Sequence, residues 1–314
     1  MASKYIDTFT QSATIISAYN LEALKSFTPQ LRFDTVAQMV SPTPRLTSNG
    51  NEAKFTIYNA LSSTTGALSI TGTSMAPSVA TTKSQVTVAS EAYGTHLAIE
   101  TLKLNAQGLF NEVMVAADLL GDQGGLSIDQ LARNDAYDDE TGAAYCENAS
   151  GYIFGGSTAV DIKSDDVRRA FTKLDSSNVP KPDGQYYIAI VHPNIIATLR
   201  AETIAAGGTW RAPKEYLNEG QLKLAGEVGE WEGFRFVSTT NVYTSGSGST
   251  TQYYSYFLGK QAIGRWIQSP YRVVVQRGWN AHDNLLTVAW DIVGGWKNIR
   301  ANALYKINST AKYD

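Results

Sequence analysis

The sequence predicts an α+β fold, on three observations. A broad apolar stripe at helical spacing runs from Ile99 to Leu120. Near the end of the chain, Ile299, Ala301, Ala303, Tyr305 and Ile307 alternate with Arg300, Asn302, Leu304 and Lys306. Between these two stretches lie short apolar runs bounded by Gly and Pro. Periods of 3.6 and 2 are what distinguish an amphipathic helix from a half-buried strand.

The chain divides into five stretches. Residues 1–50 read as an N-terminal arm. Within it Ile15, Ile16, Tyr19, Ala23, Leu24 and Phe27 recur at helical spacing, and Pro29 ends the run. Pro42 and Pro44 then exclude helix from residues 40–45, because the residue before a proline is driven out of the α region. Such an arm has little to bury itself against, so it is expected to lie on another part of the molecule or on a neighbour.

Residues 51–94 read as two strands flanking a long loop. Phe55, Ile57 and Leu61 share a face of the first strand, and Val86, Val88 and Ser90 a face of the second. A connection as long as residues 62–84, rich in Ser, Thr and Gly, is uncommon inside a compact domain unless it is functional or disordered. It reads as a projecting two-stranded flap whose large apolar groups are Leu68, Ile70, Met75 and Val79.

Residues 95–184 begin with the helix of the apolar stripe, with Gly121 as its left-handed stop. A second helix is expected at Ser127-Ile128-Asp129-Gln130, which has capping-box spacing. A third follows Ser164, with Asp165 and Asp166 in its first turn and Val167, Phe171 and Leu174 on its face. Residues 178–184, with two prolines and a glycine, form a linker. In the fourth stretch, 185–270, residues 186–191 read as a strand, and Pro193 opens a helix carrying Ile195, Ile196 and Leu199. Residues 234–237 and 253–258 read as strands, with 245–249 a flexible loop tip. The last stretch, 271–314, holds a short strand at 273–275, another at 285–293, and the alternating strand from Ile299 to Ile307, odd-numbered residues facing the core.

Composition narrows the function classes. The 314 residues suffice for one large domain or two modest ones. With 43% hydrophobic residues the chain is too apolar to be disordered as a whole. A charged share of 18% leaves much of the surface to small polar groups. The net charge of -3 implies no basic face for tight, sequence-specific nucleic-acid binding. A single cysteine, Cys146, allows no intrachain disulfide and fits a reducing compartment. The first residues do not read as a secretory signal, and no segment is long and apolar enough to cross a bilayer as a helix.

No constellation with catalytic spacing emerges. His96, His192 and His282 are far apart in sequence and none belongs to an HExxH pattern. His192 sits at a strand–helix junction and reads as a cap or packing residue. Cys146 has no adjacent base and reads as a small hydrophobe. Asp135, Asp138, Asp139 and Glu140 lack the calcium-loop spacing and read as a solvated loop. The Gly-rich residues 121–125 lack the Lys-Ser/Thr of a phosphate-cradling loop, and neither GxSxG nor GxGxxG after a strand occurs. No catalytic, cofactor-binding or metal-ligating residue is nominated, and the chain is read as a non-enzyme.

The order arm, flap, long helix, mixed domain and returning strands resembles that of the HK-97-like major capsid fold of tailed bacteriophages. Tyr186-Tyr187-Ile188-Ala189-Ile190-Val191-His192-Pro193 resembles that family's strand followed by a proline-opened helix at the start of its A-domain. Gly229-Glu230-Trp231-Glu232-Gly233-Phe234-Arg235-Phe236-Val237 is similar to its G-x-x-x-G segment with an apolar tail. Gly259-Lys260-Gln261-Ala262-Ile263-Gly264, and the stretch containing Trp290, Gly294, Gly295 and Trp296, resemble its later strands. Within the family the chain resembles the group typified by the capsid protein of the short-tailed phage N-four.

The resemblance implies an N-arm over 1–50, an extended loop over 51–94, a spine helix and first part of the P-domain over 95–184, an A-domain over 185–270 and returning P-domain strands over 271–314. It implies homo-pentamers and homo-hexamers tiling an icosahedral head around double-stranded DNA, held without sequence-specific binding. Scaffolding and portal proteins would be partners, a decoration protein is an open one, and no membrane is involved. The expected place is the virion, after synthesis in the bacterial host cytoplasm. Intersubunit contacts would fall on Leu68, Ile70, Met75, Val79 and Lys83. Some relatives join an extended-loop Lys to a neighbour's Asn. Lys83, Asn298 and Asn302 supply the groups but no motif, so a non-covalent shell is expected. Two alternatives remain at this point: an encapsulin-like nanocompartment shell, and a β-rich phage tail or surface-binding protein.

Overall fold

The computed structural model describes residues 31–40, 45–46, 51–58, 61, 80–100, 112–137, 143–145, 160–205, 210–216, 223–247, 251–277 and 285–312. Its centre is strand β6 (Tyr187–Val191), in which all five residues are buried. A strand covered on both faces reads as a continuous apolar run instead of an alternating one. β6 runs parallel to β8 (Phe234–Ser238), and the chain passes between them through helices α4 (Pro193–Ala205) and α5 (Pro213–Tyr216) and strand β7 (Glu227–Trp231), which is antiparallel to β8. On its other side β6 is antiparallel to β10 (Gln252–Leu258). β10 pairs in turn with β13 (Leu304–Ser309), which pairs in parallel with the short β5 (Ala143–Tyr145). The two-residue β9 (Thr244–Ser245) joins β10 and completes a seven-stranded sheet. Helix α3 (Ser164–Ser176) buries Val167, Ala170 and Leu174 in the same core.

A second sheet is built from long strands. β11 (Ile263–Arg277) and β12 (Leu285–Asn298) form an antiparallel pair, and β4 (Glu91–Glu100) is added to the far edge of β12 over ten positions. A third sheet is small: β1 (Arg45–Leu46), β2 (Glu52–Tyr58) and β3 (Lys83–Ala89). The two strands expected to flank the flap are present as β2 and β3, with Phe55, Ile57 and Val88 buried, but Leu61, expected on the same face as Phe55, lies beyond β2 and is exposed. The strand and helix expected around Pro193, the helix after Ser164, and the strands at 234–237 and 253–258 are also found where the pattern placed them.

Five expectations need correction. The stripe from Ile99 to Leu120 is not one helix, since its first residues belong to β4; the long helix α2 spans Glu112–Ala132 and passes straight through Gly121. Pairing with β12 overrides the helical period in residues 95–100. Downstream the glycines suit the helix because it lies close to the sheet: a Cβ on Gly124 would come 2.8 Å from the Tyr271 ring. Residues 127–130 therefore lie inside α2 and start no helix of their own. The arm is not devoid of its own burial either. Residues Phe33–Val40 form helix α1, and Leu31, Phe33, Val36 and Ala37 enter the main core. The helix expected at residues 15–27 lies outside the described residues, as does the flap between 62 and 79.

The fourth and fifth corrections concern the closing strands. Residues 273–275 are part of the 15-residue β11 and not a short strand. Residues Ala301–Ala303 form a single 3-10 turn, so β13 starts only at Leu304. Inside it, burial does not alternate: Lys306 and Asn308 are buried along with Ile307, and Tyr305 is half-buried. β13 is paired at both edges, with β10 and β5, and side chains on both of its faces are buried.

The turn before β13 places neighbouring residues in opposite environments. Ala303 is fully buried and Asn302 exposed. Ala303→Asp buries an unpaired carboxylate and should cost about 3 kcal/mol or more, with loss of soluble expression. Asn302→Asp should stay within about 0.5 kcal/mol in denaturant melts. Equal losses would show that the turn is misplaced.

Candidate functional site

The surface feature that the sequence singled out is the root of the β2–β3 hairpin. Ala53, Phe55 and Ile57 alternate inward along β2 and meet Val88 and Ile299 in a small cluster separate from the main core. The hairpin sits flush on β12: a Cβ on Gly295 would come 2.1 Å from the Ala89 carbonyl oxygen, so only glycine allows the approach. The Ser90 hydroxyl donates to Gln268 Oε1 on β11 at 2.8 Å. At the opposite end Tyr58 pairs in register with Lys83, and Tyr58, Leu61 and Lys83 are all exposed. Lys83 thus stands at the start of β3, at the outer end of the β2–β3 ladder. Leu68, Ile70, Met75 and Val79 lie outside the described residues. Asn298 ends β12, and Asn302 is exposed on the 3-10 turn.

A second constellation was not anticipated, and it sets the position of everything around the hairpin. Asp129 on α2 is fully buried, and its Oδ1 accepts hydrogen bonds from the backbone N–H of Arg32 at 2.7 Å and of Asp34 at 3.3 Å. Its Oδ2 accepts from the Asn241 amide at 2.9 Å. Asp34, also fully buried, accepts from the Trp296 indole N–H at 2.7 Å, and Arg265 Nε lies 2.8 Å from the same carboxylate. Arg133, in the π turn Arg133–Tyr137 that follows α2, donates to the Asn241 carbonyl at 2.9 Å. Two carboxylates thereby join α1, α2, the segment after β8, β11 and β12. Burial pushes both carboxyls above the usual carboxylate range. Arg265, Trp296 and Gln38 oppose that rise at Asp34, as Asn241 and three backbone N–H groups do at Asp129. The signal available in the sequence was an Asp among the apolar positions of a helix; reading residues 127–130 as a helix start concealed it.

A third buried network ties the 178–184 linker to β7 and β8. Arg235 donates to both oxygens of Glu227 at 2.7 and 2.8 Å, pairs with Asp183, and Tyr216 donates to Glu227. The arginine holds the Glu227 carboxyl below its ordinary range against the opposing effect of burial. Every charge in this set faces a partner, so it braces a corner of the sheet.

The other nominated residues are scattered. His192 stacks on Tyr253 with ring centres 4.3 Å apart, and its Nδ1 accepts from the Asn194 N–H at 3.3 Å, the capping arrangement the junction suggested. His96 is exposed on β4, and Asp135 lies in the π turn after α2. His282, Cys146, Asp138, Asp139 and Glu140 lie outside the described residues. Among the described residues no three His, Cys, Asp or Glu side chains converge as metal ligands would. The constellations found hold geometry.

Residues 159–310 match the family model described as phage capsid protein. No curated protein matches the chain. Among solved structures, the capsid of Ralstonia phage GP4 is similar at a TM-score of 0.63 and 16% identity, over 88% of this chain and 86% of that one. The head structure of Helicobacter pylori bacteriophage KHP40 is similar at a TM-score of 0.59 and 12% identity, over 85% and 86%. The holo-SrpI encapsulin complex from Synechococcus elongatus is similar at a TM-score of 0.55 and 12% identity, over 92% and 90%. At these identities the likeness is one of fold.

The two buried carboxylates make a testable contribution to stability. Their raised pKa means that the folded chain holds these protons more tightly than the unfolded chain. The associated stabilisation is fully present below the ordinary carboxylate pKa and is lost as pH rises through the raised values. Asp129→Asn keeps an acceptor for the Arg32 N–H and removes one share of that slope. Between about pH 4 and pH 7 its stability in urea melts should therefore fall less steeply than the parent's. Asp34→Ala leaves Arg265 without its carboxylate and should destabilise by about 3 kcal/mol.

Proposed function

We propose that this chain, built on the HK-97-like capsid fold, is a phage major capsid protein that assembles with copies of itself into the pentamers and hexamers of an icosahedral head around double-stranded DNA. The observation that carries the reading is the phage-capsid family match over residues 159–310, which spans most of the seven-stranded sheet and the long β11–β12 pair. The fold likeness to the Ralstonia phage GP4 capsid extends over 88% of the chain. Within that fold, residues 1–50 serve as N-arm and 51–94 as extended loop; α2 is the spine helix. Residues 185–270 form the A-domain, and the strands from 271 return to the P-domain. The group typified by phage N-four is the finer assignment.

In this reading the protein acts structurally, in the virion, after synthesis in the host cytoplasm. The flap residues Leu68, Ile70, Met75 and Val79, with Lys83 at the root, grip a neighbouring subunit. Each grip is weak, because ordering a Ser- and Gly-rich segment opposes binding, and closure of the shell multiplies many such contacts. Weak single contacts let misplaced subunits leave. Scaffolding and portal proteins are the further partners, and the packaged DNA is held without base-specific contacts.

The encapsulin likeness, over 92% of the chain, supports a second reading on the same fold, a nanocompartment shell with protein cargo. The family match favours the phage reading. Negative-stain microscopy and size-exclusion chromatography of the expressed protein test assembly: closed particles or capsomers are expected, and a monomer under all salt and scaffold conditions would sink the proposal. Nucleic acid inside native particles separates the phage head from a protein-filled compartment.

The grip has its own test. Replacing residues 66–82 by a short Gly-Ser turn leaves most of β2, its buried cluster and the Gly295 contact in place. The subunit should keep its circular dichroism and melting temperature, since loop closure entropy depends only logarithmically on length. Closed shells should be lost. Normal shells from this variant would remove the flap from the assembly mechanism.

A further inference from the structure

Strands β10 and β13 pair inside the seven-stranded sheet, and one face of the pair carries two serines. In the antiparallel register Tyr253 stands opposite Ser309, and Ser255 opposite Ile307. Residues directly opposite one another share a face, as do residues two apart on one strand. Ser255 and Ser309 are therefore diagonal neighbours on the face that also holds Tyr253 and Ile307. Helix α4 covers this face. The Asn194 amide donates to the Tyr253 hydroxyl at 3.3 Å, and the Thr198 hydroxyl accepts from the Lys312 N–H at 3.1 Å. Ile195 and Leu199 of the same helix are fully buried.

Ser255 and Ser309 are both fully buried, and among the described residues neither Oγ has a hydrogen-bond partner. The neighbouring hydroxyls differ: that of Tyr253 accepts from Asn194, and that of Thr198 also donates to the Asn194 carbonyl at 2.9 Å. An unsatisfied buried hydroxyl is destabilising, and buried polar groups are nearly always paired with protein or with ordered water. Alanine would occupy either position without that cost. Diagonal neighbours have Cα atoms about 7–8 Å apart and Cβ atoms somewhat closer. That span is long for a direct bond between hydroxyls, yet it suits one intermediary making two bonds of about 2.8 Å. Each serine hydroxyl both donates and accepts, which matches a small neutral molecule of the same dual character better than an ion.

We propose that Ser255 and Ser309 hold one ordered water molecule between the β10–β13 pair and α4. The water accepts from one hydroxyl and donates to the other. It thereby ties β13 to β10 through side chains as well as through the backbone ladder. The site belongs to the folded subunit and stands independently of the shell it builds.

Single and double replacement by alanine in the full-length chain tests it. Each change removes one small hydroxyl and leaves the backbone ladder in place, so all three variants should fold. Ser255→Ala and Ser309→Ala should each lower the melting temperature by about 2 °C, because the remaining serine loses its bridge. The double variant should fall no further than the worse single one, since the water leaves with the first hydroxyl. Additive losses, or a rise in either single variant, would overturn the proposal. A high-resolution experimental structure of the full chain is the second readout. One density peak about 2.8 Å from both Oγ atoms is expected in the parent. Two hydroxyls in direct contact, or no peak between them, would also overturn the site.

Discussion

Two buried carboxylates organise this molecule. Asp34 and Asp129 lie on different helices, yet each is satisfied by groups from elsewhere in the chain: the Asn241 amide, the Trp296 indole, Arg265 and the backbone where α1 begins. A buried charge is tolerable only when its lone pairs are filled, and an incomplete set costs more than an apolar replacement would. The arrangement is therefore close to all-or-none. It fixes the position of α1 against α2 and of both against the β11–β12 pair, and the hairpin of β2 and β3 inherits its direction from that pair.

Much of the fold was legible where a single physical signal dominated. The strand at residues 187–191 is a five-residue apolar run closed by His192-Pro193, and nothing nearby competes with that reading. The helix after Ser164 carries both its acidic first turn and its apolar face, and the hairpin strands show their period in Phe55, Ile57 and Val88. Legibility failed where long-range pairing outweighed local pattern. Residues 95–100 have helical spacing, but ten ladder positions on β12 make them strand. Gly121 looks like a helix stop, yet α2 runs on through it, and three residues later Gly124 lets the helix lie against the Tyr271 ring. In β13 the predicted alternation is absent because both faces of the strand are buried, Lys306 and Asn308 along with Ile307.

The candidate site was legible to a smaller extent. Lys83 begins β3 opposite Tyr58, and His192 is the packing residue it was read as. The buried network was not legible, because Asp34, Arg265 and Trp296 are scattered over most of the chain and share no spacing; Asp34 and Trp296 are 262 residues apart. Side chains that meet only in three dimensions leave no periodic trace.

That separation has a consequence for the order of events during synthesis. β4 is paired with residues 285–294, and the Asp34 carboxylate waits for Trp296, so the N-terminal half is incomplete until nearly the whole chain has left the ribosome. Contacts of such long sequence span form slowly. A nascent chain accordingly has neither its long sheet nor the seat of its hairpin. A product that stops before residue 285 lacks the strand on which both depend. The fold is therefore completed only within the last tenth of translation, and a shorter product cannot present the native surface.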